Sequence, residues 1–265
     1  MNRLEQRFKD LKEQNRKGLI TFITGGDPDL ETAQNILNGL PAAGADIIEL
    51  GMPFSDPMAD GPAIQRANIR ALDNGTTLDD VLEMVKSFRV TDTKTPLVLM
   101  GYYNPIHNYG TERFVEKANE YGADGLIVVD LPPEEDLELR DPASRAGMNV
   151  IRLLAPTTDA DRITKVLDGS SGFLYYVSIA GVTGTASANM DHLVPHLEMV
   201  RQKTDLPIAI GFGIKTPEEV KNMAKYGDAI VVGSAIVDNI GKIKDGDKTP
   251  ADIFAQVKSL AGALK

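Results

Sequence analysis

Residues Pro207–Val237 read PIAIGFGIKTPEEVKNMAKYGDAIVVGSAIV, and this stretch decides the fold. It opens on a short apolar run that ends in glycines, then passes through Thr-Pro-Glu-Glu into a helix-patterned segment closing on Gly227. A threonine before Pro-Glu-Glu is a helix start: its hydroxyl can accept a free first-turn N–H, proline is tolerated there, and the acids favour the positive helix end. The chain then reaches a second apolar run, AIVV, which ends in Gly-Ser. Runs that are apolar throughout suit strands buried on both faces, as in parallel sheets. The stretch is therefore one strand–helix–strand unit with glycine at both strand ends.

The same unit recurs outward from it. Apolar or β-branched runs at Leu19–Ile23, Asp46–Leu50, Pro96–Met100, Gly125–Val129, Asn149–Leu153 and Phe173–Ser178 join Pro207–Gly211 and Ala229–Val232 to make eight candidate strands. Between them, Glu31–Gly44 and Thr111–Gly122 read as amphipathic helices closing on glycine. The phrase Gly-Ala-Asp precedes two of the strands, at Gly44–Asp46 and Gly122–Asp124, and Gly227-Asp228 echoes it. Residues 1–15 read as an extra N-terminal helix covering the bottom of the sheet. Eight βα units within 265 residues favour a closed (β/α)8 TIM barrel of the α/β class over an open doubly wound sheet. No Pro/Ser-rich linker divides the chain, so residues 1–265 are expected to form a single domain.

Composition removes whole classes of chemistry. The chain has no cysteine, which excludes disulfides, thiolate metal sites and thiol nucleophiles. Its N-terminus is charged and lacks an apolar core, so no secretory signal is expected, and no apolar run approaches the roughly 20 residues that span a bilayer. The expected location is the cytoplasm. A net charge of −10 argues against nucleic acid or anionic membranes as partners. A phosphate ligand stays open, because backbone N–H groups at a helix start hold anions locally.

In a TIM barrel the active site lies at the C-terminal strand ends, with phosphate often held after the seventh and eighth strands. Gly213, Gly233 and Ser234 stand there, and a short phosphate-binding helix is expected to begin near Ser234. Taken singly, each glycine reads equally well as a tight barrel turn. The segment Ser178–Asn189, SIAGVTGTASAN, is small and polar and suits a lid. Five acids lie near strand ends: Asp27, Glu49, Asp56, Asp60 and Asp130. Glu49 ends an apolar strand, where a carboxyl would be desolvated and suited to moving protons, or would serve only as a hydrogen-bond acceptor. Asp60 precedes Gly-Pro and a helical stretch, so helix N-capping competes with function. Pattern alone does not choose among the five. No lysine sits in the strand cores for a Schiff base, since Lys215 lies beyond the seventh strand. The only histidines are His107, His192 and His196; the last two, at i,i+4 helical spacing, lie well past the sixth strand's end and are expected at the surface, so no metal site is expected and carboxylate chemistry remains.

The residues so assembled resemble the tryptophan synthase alpha chain family. FITGGDPD (Phe22–Asp29), IIELGMPFSDPMADGP (Ile47–Pro62), GYYNPI (Gly101–Ile106), DLPPEE (Asp130–Glu135), LAPTT (Leu154–Thr158), GVTG (Gly181–Gly184) and GFGIKTPE with VVGSAIV all fall in the family's order. The resemblance implies a retro-aldol cleavage of indole-3-glycerol phosphate to indole and glyceraldehyde 3-phosphate. On it, Glu49 is the catalytic glutamate that protonates indole C3, and Asp60 the catalytic aspartate that accepts the indole N–H. Phe22, Met100, Tyr175 and Phe212 surround the indole. Gly184, Gly213, Gly233 and Ser234 take the phosphate, and Thr183 helps close the lid over Asp60. No cofactor is implied for this chain. The implied partner is a PLP-containing tryptophan synthase beta chain in an αββα heterotetramer, met through the loops Pro53–Asp60 and Tyr102–Asn108.

The chain departs from the family's common pattern at Gly25, Val129 and Ile179, where Ala, Pro and, in some members, Arg are frequent; these positions lie beside the catalytic and phosphate residues. The rival readings are another phosphate-binding barrel isomerase or epimerase, a non-catalytic subunit that only activates a beta chain, and a stand-alone lyase releasing free indole.

Overall fold

The structure, a computed structural model, describes residues 2–177, 186–211 and 213–265, and the side chains of residues 186–192 lie outside that description. The strands are β1 (Gly18–Thr24), β2 (Ile47–Gly51), β3 (Leu97–Gly101), β4 (Gly125–Val128), β5 (Asn149–Val150), β6 (Arg152–Leu154), β7 (Leu174–Val177), β8 (Ile208–Gly211) and β9 (Ala229–Val232). Helix α1 (Arg3–Glu13) precedes them and α2 (Leu30–Ala43) follows β1. Helices α3 (Pro62–Asp73) and α4 (Leu78–Thr91) follow β2, while α5 (Tyr103–Tyr109) and α6 (Thr111–Tyr121) follow β3. Then come α7 (Leu137–Arg145) after β4, α8 (Ala160–Leu167) after β6, α9 (Ala186–Arg201) after β7 and α10 (Pro217–Met223) after β8. Helices α11 (Ser234–Gly241) and α12 (Pro250–Gly262) complete the chain after β9.

All pairings are parallel, in the order β5-β4-β3-β2-β1-β9-β8-β7-β6. The two ends of that order are separated in sequence by Ile151 alone, so β5 and β6 are halves of one barrel strand. The Ile151 N–H donates to the Leu126 carbonyl at 2.9 Å, while the Val150 carbonyl accepts from Ser171 N–H at 2.9 Å. The expected fifth strand, Asn149–Leu153, is thus interrupted. Stagger in a tilted barrel lets its first half bond β4 and its second half bond β7. The ring is a TIM barrel.

Alternation along each strand makes two cores. Leu19, Ile48, Leu99, Leu126, Leu174, Ile208 and Ile230 face outward into a large helix–sheet core. Ile20, Ile47, Val98, Ile127, Ile151, Phe173, Ala209 and Ala229 face inward. The expected N-terminal helix closes the inner core from below, as α1 sends Leu4, Phe8 and Leu11 into it and stacks Phe8 on Phe173 at 5.8 Å.

The Gly-Ala-Asp echo is a register clamp. Asp46 accepts Leu19 N–H at 2.9 Å and both outer nitrogens of Arg16 at 2.7 Å. Asp124 accepts Leu97 N–H at 2.8 Å together with Arg3 and Arg89, and Asp228 accepts Ile208 N–H at 2.9 Å together with Arg201. Each aspartate enters one strand and holds the start of the strand before it. The expected helix closing on Gly227 stops earlier, at Met223. Gly227 is needed for close approach, since a Cβ there would stand 3.0 Å from the Ala229 carbonyl and 3.1 Å from the Ile208 carbonyl.

Two other expectations are corrected. The Tyr102–Asn108 segment is not a loop: Tyr103–Tyr109 is helical, with Pro105 in the first turn, where no intrahelical N–H bond is lost, and with Asp130 accepting Tyr103 N–H at 2.8 Å. His196, expected at the surface, is half-buried, with its ring 5.4 Å from that of Tyr176 and Nε2 against the Thr158 carbonyl. The segment Ser178–Asn189 turns helical at Ala186, and its residues 178–185 lie outside the described residues. Among the described residues no helix is long and apolar enough to cross a membrane.

Gly25 has a local reason. A Cβ on it would meet Val81 Cγ2 at 2.9 Å and the Gly51 carbonyl at 3.2 Å. Gly25→Ala should therefore destabilise the fold by about 1–3 kcal/mol, the usual cost of overpacking. Val81→Ala should recover part of that loss in the double variant, so strictly additive denaturation energies would contradict the packing account.

Candidate active site

The C-terminal strand ends surround a cavity of about 460 Å³. Inward alternation continues upward from the inner core to line it: Phe22 on β1, Glu49 on β2, Met100 on β3, Val129 beyond β4, Leu153 on β6, Tyr175 and Val177 on β7, and Val231 on β9. Phe22 pairs in register with Glu49, which pairs with Val98. Two glycines make room for this wall: a Cβ on Gly51 would lie 2.6 Å from Phe22 Cζ, and one on Gly211 would collide with the Tyr175 hydroxyl.

Glu49 is fully buried, and among the described residues neither carboxyl oxygen has a hydrogen-bond partner. With no hydrogen bond to receive a charge, burial pushes its pKa up to about 8. Asp60 lies in the loop after β2. It is not a helix cap: Gly61 is the N-cap of α3 with no side-chain cap bond, which leaves the aspartate side chain turned to the cavity. Burial raises Asp60 to about 6, opposed by the Tyr102 hydroxyl and by Asn68, whose amide donates to Oδ2 at 3.4 Å. Tyr175 feels both acids. Burial first, then the Glu49 and Asp60 charges, hold its hydroxyl firmly protonated.

The other three acidic candidates do different work. Asp27 is buried and takes a bidentate bond from Arg70 at 2.7 and 2.8 Å, Asp56 is exposed and accepts from Ser55, and Asp130 accepts Tyr103 N–H. Only Glu49 and Asp60 of the five line the cavity.

Across from the carboxylates, Gly213, Gly233 and Ser234 contribute to the lining. Gly213 has φ +79°, a backbone conformation that favours glycine. Helix α11 starts at Ser234 without a side-chain cap, so its positive end is available to an anion. Of the sequence-derived site residues, Phe22, Glu49, Asp60, Met100, Tyr175, Gly213, Gly233 and Ser234 come together in this one cavity. Thr183, Gly184, Phe212 and the departure at Ile179 lie outside the described residues. Val129, noted only as a departure, forms part of the cavity wall.

Sequence reasoning missed several contributors. Leu153 and Val177 follow the inward alternation and were within reach of it. Asn68 and Tyr102 were not, since each acts across a loop. Asn68 also accepts Phe54 N–H at 3.4 Å, and the Tyr102 hydroxyl accepts Ala59 N–H at 3.0 Å while its ring packs 5.3 Å from that of Phe54. The 53–60 loop is thereby tied to both α3 and the end of β3.

A family model described as tryptophan synthase alpha chain matches residues 8–265. The chain belongs to the tryptophan synthase alpha chain family. Among solved structures, the alpha subunit of tryptophan synthase from Legionella pneumophila str. Paris is 40% identical with TM-score 0.92, the match covering 100% of this chain and 98% of that one. A structure from Aquifex aeolicus VF5 is 36% identical with TM-score 0.90, with 100% of both chains covered. Tryptophan synthase from Mycobacterium tuberculosis, in an open form with BRD0059 bound, is 29% identical with TM-score 0.89, covering 100% of this chain and 99% of that one.

The raised pKa of Glu49 fixes a sign for stability in this family member. Its folded value of about 8 exceeds the ordinary 4.5, so the folded state holds this proton more tightly and loses stability as pH rises between those values. Glu49→Gln keeps the shape and cannot ionise. Relative to the wild type, the variant should gain on the order of several kcal/mol between pH 4.5 and pH 8 in chemical denaturation. A difference that is flat with pH would show that Glu49 does not hold its proton in the folded protein.

Proposed function

We propose that the cavity seats indole-3-glycerol phosphate with its indole against Phe22, Met100 and Tyr175 and its phosphate on Gly213, Gly233 and Ser234. As a member of its family the chain is a carbon–carbon lyase of tryptophan biosynthesis, cleaving this substrate to indole and glyceraldehyde 3-phosphate. The observation that carries the residue roles is that two carboxylates on one cavity are pushed to different pKa values, about 8 and about 6. Such separation assigns an acid and an anion.

Near pH 7 Glu49 retains its proton and gives it to indole C3. The resulting indolenine carries positive charge at the ring nitrogen. Asp60, ionised at that pH, accepts the N–H and stabilises the charge from a fixed position. Glu49, now a carboxylate, or a second group removes the proton from the glycerol hydroxyl next to C3. The O–H electron pair becomes the aldehyde carbonyl, the C–C bond breaks, and its electrons restore the aromatic ring. Proton and electron pairs balance, and Glu49 returns to its starting state when it is the base. Phe212 is proposed to complete the indole pocket, Gly184 the phosphate grip, and Thr183 the closure over Asp60.

The proposed partner is a PLP-containing beta chain in an αββα assembly, in the cytoplasm. Support comes from the 53–60 loop, where Met58 is 83% exposed and where Ala59 and Phe54 lean on Tyr102 at the start of α5. A docked partner would press on the same loop that carries Asp60.

Purified chain should release indole from indole-3-glycerol phosphate. Glu49→Gln should lower kcat by about 10²–10⁴-fold, the span of general acid–base catalysis. Asp60→Asn should lower it by about a hundredfold or more. The kcat profile should be bell-shaped, falling below about pH 6 as Asp60 protonates and above about pH 8 as Glu49 ionises. Failure to form indole, with or without beta chain, would favour a phosphate-binding isomerase instead. A Glu49→Gln variant with unchanged indole release would favour a non-catalytic subunit, and a high solo rate unchanged by beta chain a stand-alone lyase.

A further inference from the structure

Five ionisable acid and base side chains line the cavity: Glu49, Asp60, Asp238, Arg66 and Lys215. Arg66 is neutralised, since it donates to Asp238 Oδ1 at 2.8 Å. Lys215 has no such partner among the described residues. The nearby Glu219 carboxylate is engaged by the backbone N–H groups of Lys215 and Thr216 at 2.7 and 3.0 Å, and no carboxylate of a described residue makes an ion pair with the ammonium. In the loop beyond β8, Gly213 and Lys215 both line the cavity, while Ile214 between them is buried in the outer core. The Lys215 side chain itself stays exposed.

We infer that Lys215 is the charge-reading residue of the anion end, a full cation beside the Gly213 turn that selects a phosphorylated ligand. The inference rests on the proposed phosphate site and deepens it. Backbone N–H groups and a helix end offer only partial charges. The chain carries net charge −10, and the cavity holds the ionised Asp60 besides the paired Asp238, so an incoming dianion meets a repulsive field. One uncompensated ammonium at the rim reverses the local sign where the phosphate enters. It acts on capture and retention of the charged end, leaving the chemistry at the indole to other groups.

The test uses the full chain with Lys215→Gln, Lys215→Glu and Lys215→Arg, reading KM and kcat for indole-3-glycerol phosphate and inhibition constants for inorganic phosphate and for indole. Lys215→Gln should raise KM and the phosphate inhibition constant about tenfold, with kcat within threefold, and Lys215→Glu should raise both further. Lys215→Arg should restore them. Inhibition by uncharged indole should not move. The wild-type KM should climb more steeply with salt than that of Lys215→Gln, because a screened ion pair is lost. If Lys215→Gln leaves both constants within twofold of the wild type, the inference is overturned while the phosphate site stands. A wild type that cleaves the substrate but is not inhibited by inorganic phosphate overturns the proposed anion end, and the role of Lys215 with it.

Discussion

Closing a parallel sheet into a ring forces every second strand residue into an interior that water does not reach, and the rest of this molecule depends on that constraint. At the bottom of the ring the inward positions are apolar and α1 seals them. One layer higher the same alternation delivers Glu49, with no hydrogen-bond partner among the described residues. Burying a carboxyl in that way is costly unless it stays protonated, and its elevated pKa is the physical consequence. The rigid ring holds the group in that environment, whereas a mobile loop would let it reach water.

Asp60 shows the opposite design. It sits outside the ring on a loop, is only partly buried, and is held by an amide and beside a hydroxyl that both favour the ionised form. Its position depends on Asn68 and Tyr102, which also fasten Phe54 and Ala59. One acid is thus placed by the barrel and the other by a cross-braced loop. The proposed partner surface and Asp60 share one braced segment, so pressure on the loop would be felt at the carboxylate.

Much of the fold was legible in the sequence because it depends on local periodicity. Apolar runs, glycine-closed helices and the Thr-Pro-Glu-Glu start gave eight strands and the N-terminal helix at nearly their observed positions. The misreadings share a cause. The break at Ile151, the early end of α10 at Met223 and the half-burial of His196 are set by which neighbour a residue meets around the ring, and a linear pattern carries no such information. The Gly-Ala-Asp echo was visible, but its work as a clamp between strands was not.

The site divides along the same line. From the sequence alone came the residue types at the strand ends, the absence of cysteine, and a family motif dense enough to single out Glu49 and Asp60 from five acids. Tertiary structure alone decided that Asp27 belongs to Arg70, that Asp56 bonds its neighbour Ser55 while Asp130 reaches back to the start of α5, and that Gly61 caps α3 in place of Asp60. It also decided the separation of the two pKa values, because desolvation and hydrogen bonding are properties of a packed environment and not of a residue's place in the chain.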